Sequence, residues 1–430
     1  MSRSKFVENI LKRVNAEEGD LIEIKVDGEK IKGILMPHHE FSDENIIIIK
    51  LSNGYNIGVE VKKNIKINVL EKKKKKTVKK RKIPFNPDKP TVSIIGTGGT
   101  IACYVDYRTG AVHPATAAED LAFSVPEIFD ICNVKAKVAF QMLSENLKVQ
   151  HWQTLAREIA KVFNNERVSG VVVPHGTDTM GYTSAALSFM LKNLSGPVVL
   201  VGAQRSSDRP SSDAAQNLLA AVTLAAKSDL GEVVVVMHGE TSDTFTCIHR
   251  GTRVRKMHTS RRDAFKTINE KLLGKIVDGR IELTGEYRKR TAGKVIVDDK
   301  MDEDVALVYF YPGMKEDELP DKKGLVIMGT GLGHISIDLI KRVKELIDNG
   351  SVVVMTSQCI FGRVNMRVYS NGRELLKAGV ISGEDMLPEV AYVKLMWALA
   401  HAKDRNDVAR IMHTNIAGEI SGRSISTTFL

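Results

Sequence analysis

The fold is decided by two stretches in which an apolar run leads directly into a turn containing glycine and threonine: Val92-Ser93-Ile94-Ile95-Gly96-Thr97-Gly98-Gly99-Thr100 and Val171-Val172-Val173-Pro174-His175-Gly176-Thr177-Asp178-Thr179. Short runs rich in β-branched residues are typical of buried parallel strands. Open α/β sheets bind their ligands just beyond the carboxyl ends of such strands. Both turns are therefore predicted to lie where a substrate binds.

Strand and helix patterns alternate along most of the chain around these two stretches. Further patterns predict strands at 134–140, 198–201 and 233–237 and helices at 183–194 and 212–226. This alternation predicts a doubly wound α/β domain. After a charged, irregular segment, apolar runs predict a second, smaller α/β unit with strands at 305–311, 324–328 and 351–356.

The N-terminal part of the chain has a different pattern. Helical spacing of apolar residues at 6–11 precedes strand-like runs at 21–26 and 46–49. Asn53-Gly54, before Tyr55, is a signal for a hairpin turn. We therefore predict a small β-barrel with an N-terminal helix at residues 1–70.

A basic segment separates this barrel from the α/β part. Residues 71–82 contain nine Lys or Arg and one Glu, so they hold most of the net charge of +10. The net charge therefore does not indicate a basic binding surface elsewhere in the chain. Like-charge repulsion and two following prolines predict an extended, solvated linker at 71–88. The α/β domains are then predicted at 89–298 and 304–430.

Several classes of site are not indicated. The four cysteines are far apart without a Cys-X-X-Cys pair, so neither a disulfide framework nor a zinc site is predicted. His38-His39-Glu40 is interpreted as a solvated loop, and no metal or cofactor is expected in this chain. No run approaches the ~20 apolar residues of a membrane span. We predict a soluble, cytoplasmic protein that does not bind membranes.

The first turn suits a threonine nucleophile. A threonine hydroxyl needs a nearby base and donors for the oxyanion that forms when it attacks a carboxamide. Thr100 lies on a turn in which Gly98 and Gly99 let backbone amides approach a substrate oxygen closely. The alternatives are a phosphate-binding loop or a plain tight turn. No Lys-Ser or Lys-Thr pair follows, however, and position 101 is Ile rather than the third glycine of a dinucleotide fingerprint.

The second turn supplies another hydroxyl beside a carboxylate. Asp178, next to Thr177, can orient a base or bind the α-amino group of an amino-acid substrate. Its alternative role is an N-cap for the helix predicted to start near Thr183. Two such turns at the two expected sheet positions favour a shared catalytic site.

The motifs Ile95–Ala102, Pro174–Met180 and Val201–Arg205 resemble the bacterial-type L-asparaginase/glutaminase family, over residues 90–430. The resemblance implies four catalytic residues. They are the attacking Thr100, the second threonine Thr177, the acidic Asp178 that also holds the substrate's amino group, and the lysine Lys256. Lys266 is a competing lysine, but its spacing from Gly251 fits the family pattern less well.

The resemblance also implies substrate-binding residues. Ser144 matches the serine that binds the substrate's carboxylate, Tyr107 matches the tyrosine of the mobile lid, and Gly99 lies on the turn that faces the substrate. Glu145 stands where the family usually has Gln, which predicts different contacts to the amino-acid head group. The segment 329–334 resembles a loop donated by a neighbouring subunit but lacks the expected asparagine.

The added N-terminal module resembles the D-subunit family of archaeal glutamyl-tRNA(Gln) amidotransferases. That resemblance implies a glutaminase that supplies ammonia to an E subunit, which would hold ATP and Mg and bind Glu-tRNA(Gln). It also implies a homodimer within a heterotetramer. The alternatives are a free-standing cytoplasmic L-asparaginase and, less favoured, a non-catalytic RNA-binding or assembly subunit. Glutamine is the expected small-molecule substrate.

Overall fold

A computed structural model describes most of the chain. The described residues are 3–26, 28–38, 43–52, 56–62, 64–72, 83–98, 103–105, 112–114, 118–205 and 211–429. Three of the predicted site residues, Gly99, Thr100 and Tyr107, lie outside them, as do the Asn53-Gly54 hairpin signal and most of the basic segment.

In its described residues, the N-terminal unit is one helix followed by a five-stranded antiparallel sheet. Its elements are α1 (Lys5–Arg13), β1 (Leu21–Val26), β2 (Glu29–Leu35), β3 (Ile46–Lys50), β4 (Asn56–Glu60) and β5 (Lys66–Glu71). The strand order is β4-β3-β2-β1-β5. Val7 and Leu11 of α1 pack with inward-facing strand residues such as Ile22, Ile24 and Ile47 in a core to which, among the described residues, only this unit contributes. A small β-rich unit that follows a helix is thereby confirmed.

The first α/β unit contains five helices and fourteen strands among its described residues. The helices are α2 (Ala118–Ser124), α3 (Ile128–Ile131), α4 (Val149–Glu166), α5 (Met180–Met190) and α6 (Ala214–Lys227). The strands are β6 (Thr91–Gly96), β7 (Cys103–Val105), β8 (Val112–Pro114), β9 (Asn133–Val138), β10 (Gly170–Pro174), β11 (Leu191–Lys192), β12 (Val198–Val201), β13 (Val233–His238), β14 (Phe245–Arg250), β15 (Val254–Lys256), β16 (Phe265–Thr267), β17 (Gly274–Val277), β18 (Arg280–Leu283) and β19 (Ile296–Val297).

The main sheet places the two turns side by side. Its order is β18-β17-β14-β13-β12-β10-β6-β9, and the five strands from β13 to β9 are parallel. Read from β9 to β13, these five strands have the chain order 2-1-3-4-5, so the direction of winding changes between β6 and β10. Ligands bind at this switch point in doubly wound sheets. Both turns begin there, because one follows β6 and the other follows β10.

Two sequence predictions in this unit differ from the structure. The helix predicted at 183–194 begins at Met180, directly after the second turn, and ends at Met190. Its predicted last turn is instead the strand β11, which pairs with β19 within the segment expected to be irregular. Tertiary pairing, including a hydrogen bond from Asp298 N to Met190 O of 2.7 Å, outweighs local helix propensity here.

Over the described residues 304–429, the second α/β unit is a four-stranded parallel sheet with four helices. Its elements are β20 (Val305–Tyr309), β21 (Gly324–Gly329), α7 (Asp338–Asp348), β22 (Val352–Ser357), α8 (Ser370–Ala378), β23 (Ile381–Ser382), α9 (Pro388–His401) and α10 (Arg405–His413). The order is β20-β21-β22-β23. The predicted α/β fold class of both units is confirmed.

The two α/β units share one hydrophobic core. Buried residues of α5 and α9 belong to the same apolar cluster, which also contains Val173 from the first sheet and Val326 from the second. Tyr182 of α5 and Tyr392 of α9 meet edge to face, with ring centroids 6.4 Å apart. The second unit is therefore fixed against the helix that starts at the second turn.

Candidate active site

The described part of the first turn is held against the end of β10. Thr97 Oγ1 donates a hydrogen bond of 2.8 Å to Pro174 O, and Met142 N donates one of 3.3 Å to Thr97 O. Gly98 has a φ of +102°, and a Cβ there would lie 2.5 Å from Met142 O. Only glycine fits this conformation and this spacing. The chain thus enters the region of Gly99 and Thr100 from a fixed position.

The second turn lies against Ser144. A Cβ at Gly176 would be 2.7 Å from both Cβ and Oγ of Ser144, so the absence of a side chain permits this close approach. Thr179 Oγ1 donates a hydrogen bond of 2.8 Å to Ser144 O. Ser144 is buried, whereas the neighbouring Glu145 is exposed. The structure therefore brings Ser144 to the second turn, and Glu145 lies at the adjoining surface.

Lys256 connects the two functional side chains of that turn. Its Nζ donates hydrogen bonds of 2.9 Å to Thr177 Oγ1 and 2.8 Å to Asp178 Oδ1. The Lys256 side chain is 16% exposed and that of Asp178 is 69% exposed, so the cluster opens to solvent on the carboxylate side. Lys266, the competing lysine, contacts Asp263 instead, at 3.4 Å.

This cluster can move protons. An ammonium group that donates to a hydroxyl oxygen stabilises the deprotonated hydroxyl, and a carboxylate that accepts from the same ammonium orients it. The exposed carboxylate of Asp178 also remains available to a cationic group on a ligand. Thr177, Asp178 and Lys256 therefore form a hydrogen-bonded cluster at the switch point of the sheet, with the side-chain types that proton transfer requires.

His175 supports the turn as a neutral group. Burial lowers its pKa to about 4, and the hydrogen bond to the Gly176 carbonyl opposes that shift only in part. Its Nδ1 donates to Gly176 O at 2.6 Å. A histidine that stays neutral near pH 7 fixes the backbone rather than supplying a proton.

Two buried residues that the sequence did not single out, Asp213 and Asn217, hold the backbone of residues 202–205, in which Gly202 lies against Thr177. A Cβ at Gly202 would lie 2.8 Å from Thr177 Cγ2, and Gly202 O accepts a hydrogen bond of 3.0 Å from Asn217 Nδ2. The Asp213 carboxylate accepts from the backbone amides of Gln204 and, at 2.9 Å, Arg205. The available signal was an Asp and an Asn four residues apart at the start of an apolar helix.

The described ranges contain neither a metal-binding cluster nor a membrane-spanning helix. Within those ranges there is no group of three or more His, Cys, Asp or Glu side chains that could hold a metal ion. Over the same part of the chain, no helix combines the length and apolar character needed to cross a bilayer.

Comparison with known proteins identifies the relatives of each unit. Residues 91–289 match the asparaginase N-terminal domain, residues 304–412 match the glutaminase/asparaginase C-terminal domain, and residues 16–70 match the GatD N-terminal domain. Among solved structures, the thermostable L-asparaginase from Thermococcus kodakarensis superposes with a TM-score of 0.69 at 31% identity. That match covers 77% of this chain and 100% of the asparaginase.

Some relatives match the whole chain, including its N-terminal unit. The D subunit of glutamyl-tRNA(Gln) amidotransferase from Pyrococcus furiosus is 57% identical, over 99% of each chain. The protein of the same name from Saccharolobus solfataricus is 49% identical, over 96% of this chain and 95% of its own. These matches confirm the resemblance inferred from the turn motifs and the N-terminal module. The chain therefore belongs to the family of glutamyl-tRNA(Gln) amidotransferase D subunits, which carry asparaginase-type α/β domains.

Proposed function

We propose that the chain is the glutaminase subunit of a tRNA-dependent amidotransferase. It hydrolyses glutamine and supplies ammonia for the conversion of Glu-tRNA(Gln) to Gln-tRNA(Gln). The observation that carries the proposal is the hydrogen-bonded cluster of Lys256, Thr177 and Asp178 beside Ser144. The relatives that match the whole chain support the tRNA-dependent role.

The mechanism begins with attack by Thr100, assigned by its position in the family motif, on the carboxamide carbon of glutamine. An Oγ–C bond forms, the C–N bond breaks, and the threonine proton reaches the departing amine, which leaves as ammonia. Water then cleaves the acyl-enzyme ester, releases glutamate and restores the hydroxyl. Thr177 and Lys256 transfer protons in both halves of the reaction, since they share a 2.9 Å hydrogen bond.

Substrate binding uses the groups around the cluster. In this proposal Ser144 binds the α-carboxylate, and Asp178 binds the α-amino group while it pairs with Lys256. Gly99 and the lid residue Tyr107 are further substrate-binding residues, assigned by their positions in the family motifs. Glu145, exposed next to Ser144, adds negative charge at the adjoining surface.

The remaining steps belong to a partner protein, the E subunit. It holds ATP and Mg, activates the γ-carboxyl of tRNA-bound glutamate and carries most of the tRNA contacts. This chain forms a homodimer within a cytoplasmic heterotetramer. The names of the relatives, which describe one subunit of a larger enzyme, support the existence of such partners.

A free-standing L-asparaginase is the second candidate function. The observation in its favour is that solved L-asparaginases superpose on this chain over their whole length. One of them, a probable cytoplasmic L-asparaginase from Campylobacter jejuni, has 31% identity and a TM-score of 0.65. That match covers 76% of this chain and 100% of the asparaginase. Asparagine and glutamine differ by one methylene. An enzyme discriminates between two substrates that differ in this way by only roughly 10–200-fold in kcat/KM. A non-catalytic RNA-binding or assembly role does not explain the hydrogen-bonded cluster of Lys256, Thr177 and Asp178.

The test measures ammonia release from glutamine and from asparagine. The chain is assayed alone and then with an E-type partner, ATP and glutamyl-tRNA(Gln). We expect glutamine turnover that rises sharply with the partner and charged tRNA. Fast asparagine turnover by the chain alone, unchanged by those additions, would instead establish the asparaginase.

A further inference from the structure

The strand that carries Lys256 is not part of the main sheet. The strand β15 has three residues and pairs with β16, also of three residues, in a separate two-stranded ribbon. An isolated two-stranded ribbon is marginally stable at best. The 2.8–2.9 Å contacts of Lys256 therefore require other groups to fix the ribbon.

Arg253 provides such an anchor three residues before Lys256. Its side chain is 1% exposed, and its guanidinium makes four hydrogen bonds. Nε donates to Gly418 O at 2.8 Å, and Nη2 donates to Ser421 Oγ at 2.7 Å. Nη1 donates to Asp385 O and Oδ2, both at 3.2 Å. All these acceptors belong to the second α/β unit, although Arg253 belongs to the first.

The loop that Arg253 binds is itself fixed from within. We call residues 414–421 the C-terminal loop. Lys394 and Glu419 are both fully buried and form an ion pair of 2.6 Å. Lys394 Nζ also donates to Thr414 O at 2.7 Å, and the Glu419 carboxylate accepts from the backbone amides of Ile416 and Ala417. Satisfied buried ion pairs of this kind define geometry more than they add stability.

A second contact orients the other face of β15. Side chains alternate along a strand, so Arg255 points away from the site when Lys256 points toward it. Arg255 Nη1 lies 3.2 Å from Glu389 Oε2, in the first turn of α9. Thr252 Oγ1 adds a hydrogen bond of 2.9 Å to Ala417 O in the C-terminal loop. The second unit thus contacts the strand before and beside Lys256.

We propose that Arg253 is a positioning residue for Lys256, through which the C-terminal loop sets the distance from Lys256 Nζ to Thr177. The inference rests on the proposed glutaminase function and extends it to the second α/β unit. A displacement of ~1 Å at a reacting group can cost ~10²-fold in rate. If Arg253 served stability alone, its loss would lower the melting temperature without a selective effect on turnover.

The experiment compares two identical substitutions that touch the same loop. Arg253→Lys keeps the charge but loses the planar fork that reaches three residues at once. Arg288→Lys is the matched control, because Arg288 Nη1 donates to Ile416 O at 3.0 Å from a side chain that is 50% exposed. Both are assayed in the complete complex with the E-type partner, ATP and glutamyl-tRNA(Gln).

We expect Arg253→Lys to lower kcat for glutamine by roughly 10- to 100-fold while KM changes by less than about threefold. The KM is largely spared because Ser144 is held by the second turn rather than by β15. Arg288→Lys should retain both parameters. An unchanged kcat with a lowered melting temperature in Arg253→Lys overturns the inference, and so does an equal loss of kcat in both variants.

A milder variant decides the question if Arg253→Lys does not fold. Ser421→Ala removes one acceptor of the Arg253 guanidinium and leaves the other three. A fall in kcat at constant KM and constant melting temperature supports positioning, and an unchanged kcat contradicts it. If the unmodified complex hydrolyses no glutamine, the proposed function itself fails, whatever the Arg253 variants show. If Lys256→Ala retains full activity, the inference about Arg253 fails while the proposed glutaminase function stands.

Discussion

Replacing Lys256 with Met should abolish most glutamine hydrolysis. The substitution removes the hydrogen bonds of 2.9 Å to Thr177 Oγ1 and 2.8 Å to Asp178 Oδ1 and leaves an apolar side chain of similar length. A positioned acid–base group contributes about 10²- to 10⁴-fold to a rate. We therefore expect a loss of kcat in that range.

The same substitution should scarcely affect stability. The Asp178 side chain is 69% exposed, so water replaces the lost ammonium, and ion pairs with an exposed partner contribute about 0–1 kcal/mol. At about 2–4 °C per kcal/mol for domains of 150–250 residues, the melting temperature should fall by no more than about 4 °C. The contrast between a large kinetic and a small thermal effect identifies a functional residue.

The assay separates glutamine hydrolysis from amidation. Ammonia release from glutamine is measured in the complete complex, and amidation of glutamyl-tRNA(Gln) is measured separately with ammonium chloride, which Lys256→Met should still support. Lys266→Met is the matched control, since Lys266 lies on the paired strand and contacts only Asp263 among the ion pairs of the described residues. A kcat for Lys256→Met within threefold of wild type would refute the assignment.

Three further outcomes are expected. Thr100→Ala should abolish glutamine-dependent amidation while ammonium-dependent amidation continues, and loss of both would contradict the division of labour. Gly176→Ala should raise KM for glutamine, because the new Cβ would lie 2.7 Å from the Ser144 hydroxyl; an unchanged KM would show that Ser144 does not bind substrate. Between pH 6.5 and about 4 the unfolded state binds more protons at His175, so wild-type stability should fall as pH falls through this window, by up to about 3 kcal/mol. His175→Gln should lose less over the same range in thermal melts.

Sequence patterns correctly predicted the elements whose formation depends on residues close together in the chain. The buried runs at β6 and β10 follow from their β-branched residues, and their parallel pairing placed both turns at one edge of the sheet. The end of α5 was predicted wrongly because β11 depends on pairing with β19, which is about 100 residues away in the sequence. Strand pairing between residues far apart in the chain produces little recognisable pattern in a short segment of the sequence.

Long-range contacts also explain which site residues escaped notice. Lys256 was identified only through family resemblance, since one lysine on a three-residue strand has no distinctive local pattern. Asp213, Asn217 and Arg253 were not singled out in the sequence. The role of Arg253 depends on acceptors far away in the chain, such as Asp385, 132 residues further on. Side-chain hydrogen bonds across units cannot be derived from periodicity.

The shared core of the two α/β units has a consequence for cutting and grafting the chain. In the part of the chain that the structure describes, the N-terminal helix and sheet form a core of their own, whereas α5 and α9 bury their apolar faces in a common cluster. A break between residues 298 and 304 would therefore leave two half-cores exposed, and each fragment would need the other to become soluble. The N-terminal unit can therefore be removed or grafted as a separate piece, whereas the two α/β units cannot be separated from each other.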